Sequence, residues 1–169
     1  MDEKTRAFLD EARAYCEFIE RCEPSDSRAF SQACLNHLLR LYERALQLRE
    51  TEPETAELTK SIDPEDWQAL REKIAARLER DYYWEVFEPL EIDKPDAIIG
   101  SLSDDLADIW RDLKSGLDEV NGGSTINDVV WHWRFSFESH WGHHAACAIA
   151  ALHALCFGRF AIQSEVHPV

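Results

Sequence analysis

Residues 131–144 read Trp-His-Trp-Arg-Phe-Ser-Phe-Glu-Ser-His-Trp-Gly-His-His, and whether this run is strand or helix decides the architecture. Its aromatics at 131, 133, 135 and 137 alternate as in a strand. The flanks argue the other way. Thr125-Ile126-Asn127-Asp128 places a hydroxyl three residues before a carboxylate, the arrangement that caps a helix start, and Ala145 to Ala151 is a run of small residues suited to a helix. At about 100° per residue, Ile126, Val130, Trp133, Phe137, Trp141, Ala148 and Leu155 form one apolar stripe. The spacing predicts one long helix to about Phe157, stopped by Gly158. Trp131, Phe135, Gly142, Ala146 and Ile149 lie opposite the stripe, so the helix is apolar nearly all round and belongs in the middle of a bundle or at a subunit contact. Gly142, about 1 kcal/mol worse than alanine inside a helix, marks a close packing or a local break.

Upstream the same period recurs. Phe8, Ala12, Tyr15, Cys16 and Ile19 predict a first amphipathic helix over residues 3–22. Asp26 or Ser27 caps a second, with Phe30, Cys34, His37, Leu38, Leu41, Ala45 and Leu48 on one side and Leu35, Leu39 and Leu46 on the other. Asp63-Pro64-Glu65-Asp66 is a helix start, followed by Trp67, Leu70, Ile74 and Leu78. From Tyr82 to Gly100 the helical period fails; the aromatics of Tyr82–Phe87 pin a connection, extend the helix or make a short strand. Ser101-Leu102-Ser103-Asp104 caps a fourth helix with Leu102, Leu106, Ile109, Leu113, Leu117 and Val120 as its stripe, ended by Asn121-Gly122-Gly123. The expectation is an all-α, single-domain bundle of about five helices over residues 1–169, with a largely buried C-terminal helix, a polar linker at 51–62 and a tail at 158–169.

Composition agrees with a globular chain. Forty-five per cent hydrophobic and 30% charged residues, with six tryptophans and eight phenylalanines, supply enough apolar area for a core. Five cysteines, odd in number and without a C-x-x-C pair, point to a reducing compartment rather than a disulfide framework. The charged N-terminus lacks the apolar run of a signal peptide, and Ala145–Phe157 is too short to span a membrane; a cytoplasmic location is the expectation. A net charge of −15 argues against nucleic acid and anionic membrane surfaces and favours a basic protein partner or a cation.

Two histidines stand on the last helix's apolar stripe, His140 and His144, and a buried imidazole requires a partner. Asp105, Asp108 and Asp112 share a face of the fourth helix by the i, i+3, i+7 rule. If the two helices pack, these five residues form a mixed imidazole and carboxylate set suited to a divalent metal such as zinc, manganese or iron. The reading that residue types favour over a metal is a satisfied polar network, with Asp105 or Asp112 accepting from Arg134, indole N–H groups and the histidines. His37 is a candidate third imidazole, His132 and His143 project away from the stripe, and Arg134 stands one turn before Glu138. No Gly-x-Ser-x-Gly elbow, Walker lysine or H-E-x-x-H occurs, and no cysteine has an obvious adjacent base.

The blocks at Ala14–Glu20, Tyr82–Pro89, Ser101–Leu113 and Trp133–His144 together resemble a bacterial family of small acidic proteins defined as a domain of unknown function. That resemblance implies a bacterial, cytoplasmic, single-domain protein. Asp104-Asp105-Leu106-Ala107-Asp108-Ile109-Trp110 also resembles, more loosely, the acidic helix of all-α nucleotide pyrophosphohydrolases, which hold magnesium with paired Glu-x-x-Glu and Glu-x-x-Asp sets. Here Asp105 and Asp108 match one set, and only Glu17 and Glu20 have the spacing of the other. The leading expectation is a protein-binding or regulatory module; the alternative is a metal-dependent hydrolase of a phosphate-containing small molecule, and a homodimer through the last helix is compatible with either.

Overall fold

The computed structural model describes residues 1–54, 61–86, 89–94 and 96–158. The segments 55–60 of the expected linker and 159–169 of the expected tail lie outside the described residues.

Helix starts follow side-chain caps. Asp2 caps α1 (Glu3–Arg21) through the Thr5 amide, Asp26 caps α2 (Ser27–Ala45) through the Ala29 amide, and Asp63 caps α3 (Pro64–Ala75) with proline in the first turn. Ser101 caps α4 (Leu102–Gly122), which ends on Gly123 at φ 93°, a left-handed conformation that glycine adopts without strain. Thr125 caps α5 (Ile126–Ser136). A π-helical turn (Phe137–Trp141) joins α5 directly to α6 (Gly142–Phe157), so the last segment is continuous as expected and unbroken at Gly142.

That turn changes which residues face the core. Val129, Val130 and Trp133 are buried before it, and Trp141, Ala145, Ala148 and Leu152 after it. A π turn takes up one extra residue and rotates everything downstream. Gly142 permits it, because a Cβ there would lie 2.3 Å from the Phe137 carbonyl oxygen, to which the Gly142 amide donates.

The helices pack as a bundle: α6 against α2 and α4, α1 against α2 and α4, and α3 against α4. The centre is aromatic. Phe8, Tyr15, Phe30, Trp133 and Trp141 are fully buried, and each polar end among them finds a carbonyl: Tyr15 Oη donates to Leu106 at 2.7 Å, Trp133 Nε1 to Leu113 and Trp141 Nε1 to Trp133, both at 3.3 Å. The second helix is narrower than expected, since Leu39 and Leu46 are exposed while Leu35 is buried.

Among the described residues, the one departure from helix is a two-stranded antiparallel sheet of β1 (Tyr82–Val86) and β2 (Ala97–Ser101), the strand alternative the sequence left open from Tyr82 onward. Tyr82, Trp84 and Val86 point outward and Tyr83 and Glu85 inward, the period of a strand with one covered face. Tyr83 pairs with Gly100, where a Cβ would lie 2.7 Å from the phenol ring; the glycine lets the ring cross its neighbour and reach α4.

Candidate functional site

Packing of α4 against the end of the π turn and the start of α6 brings all five expected residues together. His140 Nδ1 lies 2.9 Å from Asp112 Oδ2, and His144 Nδ1 lies 2.8 Å from Asp105 Oδ1. In both contacts the carboxylate accepts from Nδ1–H, and in the neutral form of each ring Nε2 then carries the lone pair. Asp108 divides its oxygens: Oδ1 is 2.9 Å from Arg111, and Oδ2 is 3.6 Å from His144 Nε2. Asp108, His140 and His144 each offer one ligand atom, and these lie within 4.8 Å of one another. The two rings are 4.7 Å apart and near perpendicular.

Behind these three stand the residues that hold them. Asp105 is buried, with its second oxygen accepting from Tyr83 Oη at 2.6 Å. Burial pushes the Asp105 carboxyl up against the opposing pull of His144 and Tyr83. Burial also acts to lower His144, but its hydrogen bond to Asp105 and the charges of Asp105, Asp108 and Glu85 outweigh that and raise it. Burial, reinforced by the Asp105 carboxylate, lifts the Tyr83 hydroxyl well above its ordinary range, so it stays a donor.

Several expectations change. The histidines flank the core rather than enter it, with side chains 38% (His140) and 26% (His144) exposed, because the π turn rotates the stripe they were projected onto. Arg134 does not reach α4; it pairs with Glu138 at 3.0 Å and bonds Glu50 and the Leu48 carbonyl. His37 does not join the centre. Its Nδ1 faces Glu11 at 2.9 Å and its ring stacks on Phe18. His143, expected to project away, meets Glu85 of β1 at 2.6 Å. Glu20 accepts from the Trp110 indole and Glu17 pairs with Arg21, so neither supplies a second acidic pair to Asp105 and Asp108.

Tyr83 and Glu85 escaped the sequence reading. The alternation Tyr82-Tyr83-Trp84-Glu85-Val86 puts both on one face, but the partner that makes it a strand lies eleven or more residues downstream.

Residues 1–158 match the model of a family described as Domain of unknown function (DUF5063). The chain is also similar to a crystal structure of protein BF1032 from Bacteroides fragilis, at 29% identity and a TM-score of 0.79, covering 92% of this chain and 94% of that one. No curated protein matches it.

Proposed function

The chain belongs to the family DUF5063, whose description leaves the chemistry to be read from the site, and we propose that it binds a divalent transition-metal ion through Asp108, His140 and His144. One observation carries the reading: both imidazoles place Nδ1 on a carboxylate, so that in their neutral form Nε2 would serve as the ligand atom, with the Asp108 carboxylate within 4.8 Å. Carboxylates on the far nitrogen of metal-binding histidines fix tautomer and ring orientation and raise ligand basicity. Two neutral imidazoles and one carboxylate suit zinc, manganese or iron and leave coordination positions for water.

Held by Asp108, His140 and His144, a divalent ion would keep net positive charge and would supply Lewis acidity toward a bound water near neutral pH. Arg111, held beside Asp108 and half-exposed, has N–H donors to spare for an anionic group. Metal-dependent hydrolysis of a phosphate-containing small molecule is therefore the chemistry proposed. Among the described residues, Glu17 and Glu20 are engaged elsewhere and give Asp105 and Asp108 no second acidic pair, which separates this reading from the pyrophosphohydrolase arrangement.

The test is metal content of protein purified without a histidine tag, equilibrated with manganese, zinc or iron and dialysed. Asp108→Asn and His140→Ala should each lose one equivalent per chain relative to wild type, and Asp112→Asn should weaken binding roughly 10–100-fold while leaving the ligands in place. Equal metal content in all four proteins overturns the site. Turnover of p-nitrophenyl phosphate mono- and diesters that requires added metal and disappears in Asp108→Asn supports hydrolysis; binding without turnover restricts the proposal to the metal.

A second reading, docking of a basic protein partner, is favoured by the outer face of the hairpin. Tyr82, Trp84 and Ile99 are exposed side by side on a chain of net charge −15. A photo-cross-linker at residue 99 should trap one reproducible basic protein in cells, and Trp84→Ser should abolish the adduct; an adduct insensitive to that substitution overturns it.

A further inference from the structure

Beside the proposed centre, on the other side of the same helical turn, a second set of donors converges. His143 Nε2 lies 2.6 Å from Glu85 Oε1 and 3.7 Å from Cys147 Sγ. One donor atom from each of the three residues falls within 4.8 Å of the others. They come from two elements, β1 and α6, so the arrangement is tertiary and not the accident of one helix face. His143 and Cys147 stand one turn apart, and β1 turns Glu85 inward onto them.

A cysteine beside a histidine and an acid invites comparison with a nucleophile, base and orienting-acid triad. The geometry rejects it. In a triad the acid holds one ring nitrogen so that the other can take the nucleophile's proton. Here Glu85 and Cys147 address the same nitrogen, which cannot both donate to one and accept from the other. Three donors aimed at one point are instead what a cation requires. Burial and the Glu85 and Asp105 charges also push the Cys147 thiol up to about 12, so an uncomplexed nucleophilic thiolate is disfavoured.

We propose that Glu85, His143 and Cys147 form a second, separate cation site that takes zinc. Sulfur, nitrogen and oxygen donors are zinc's usual set, and three protein ligands leave the fourth tetrahedral position open. The three donors line an apolar groove of about 570 Å³ together with Tyr83, Trp84 and Pro89, from which a fourth ligand could approach. Binding deprotonates the thiol, releasing one proton to solvent, and moves the imidazole proton from Nε2 to Nδ1. Glutamate and thiolate then neutralise the ion, in contrast to the positive centre left by one carboxylate at Asp108. Its structural consequence is a clasp between the hairpin and α6.

Cobalt(II) serves as the spectroscopic probe, titrated into the full chain and into the Asp108→Asn/His140→Ala double variant. A thiolate-to-cobalt charge-transfer band with tetrahedral visible bands should appear in both, which keeps this site independent of the first. Cys147→Ser and His143→Gln should lose the band, and Glu85→Gln should need roughly tenfold more cobalt, each with an unchanged circular dichroism spectrum as the check on folding. A second readout uses zinc. Cys147 is the half-exposed cysteine while the other four are buried, so iodoacetamide alkylation of folded protein reports on it. Zinc should slow that alkylation roughly tenfold or more, since the metal-bound thiolate is blocked. A wild-type protein without the band, a band that survives Cys147→Ser, or alkylation indifferent to zinc overturns the proposal.

Discussion

His37 shows how one imidazole is settled by its surroundings. Enclosed by Phe18, Tyr15, Glu11 and Arg40, it is held below its ordinary value first by burial, with Glu11 opposing and Arg40 assisting. A histidine with a lowered folded-state value stabilises the protein fully above its unfolded value near 6.5 and loses that contribution as pH falls through the folded value. The melting temperature of wild type should therefore fall relative to His37→Gln between pH 7.5 and 5. Parallel curves in thermal melts across that range would refute the assignment. Tyr83 is the second residue whose role can be measured directly. Its phenol is Asp105's partner on one oxygen, and removing one partner of a buried polar group costs about 1–3 kcal/mol. Tyr83→Phe should lower stability by that amount in urea titrations; a neutral result would mean that the hydroxyl is replaceable by water.

At the level of elements, the π turn is the decisive feature of the last helix. It lets Trp133 and Trp141, eight residues apart, occupy the same core, where Phe8 packs against both. Trp133 also governs α4, because it sits against Gly116, where a Cβ would lie 2.2 Å from the indole nitrogen. Gly116→Ala must displace a fully buried ring, and overpacking of this kind costs about 1–3 kcal/mol. Equilibrium denaturation should show the loss, and a stability equal to or above wild type would mean that α4 can shift without cost. The helices themselves were legible because their caps and periodic apolar residues are local: Asp2, Asp26, Asp63, Ser101 and Thr125 each cap within three residues of themselves. The first strand was legible only as one of several alternatives, and its pairing was not, because β1 has five residues and its partner Ala97–Ser101 is non-local.

For the whole molecule, a ligand that binds only the folded state stabilises it by mass action. Manganese at about a hundred times its dissociation constant would add about 2.7 kcal/mol. For a chain of this size that corresponds to a rise in melting temperature of roughly 5–10 °C. The rise should vanish on chelation and be absent in Asp108→Asn; an equal rise in that variant would place the ion elsewhere. The described helices include none long and apolar enough to cross a membrane.

The three proposed ligands and the two aspartates behind the histidines share faces that helical spacing dictates: Asp105, Asp108 and Asp112 on one helix, His140 and His144 one turn apart on the other. Which acid meets which imidazole, that Tyr83 stands behind Asp105, and that Glu85 turns His143 and Cys147 into a second cluster depend on the packing of α4, α6 and β1. Spacing along a chain dictates what shares a face, since backbone geometry is local. What two faces do when they touch depends on their relative rotation, and here a single π turn sets it.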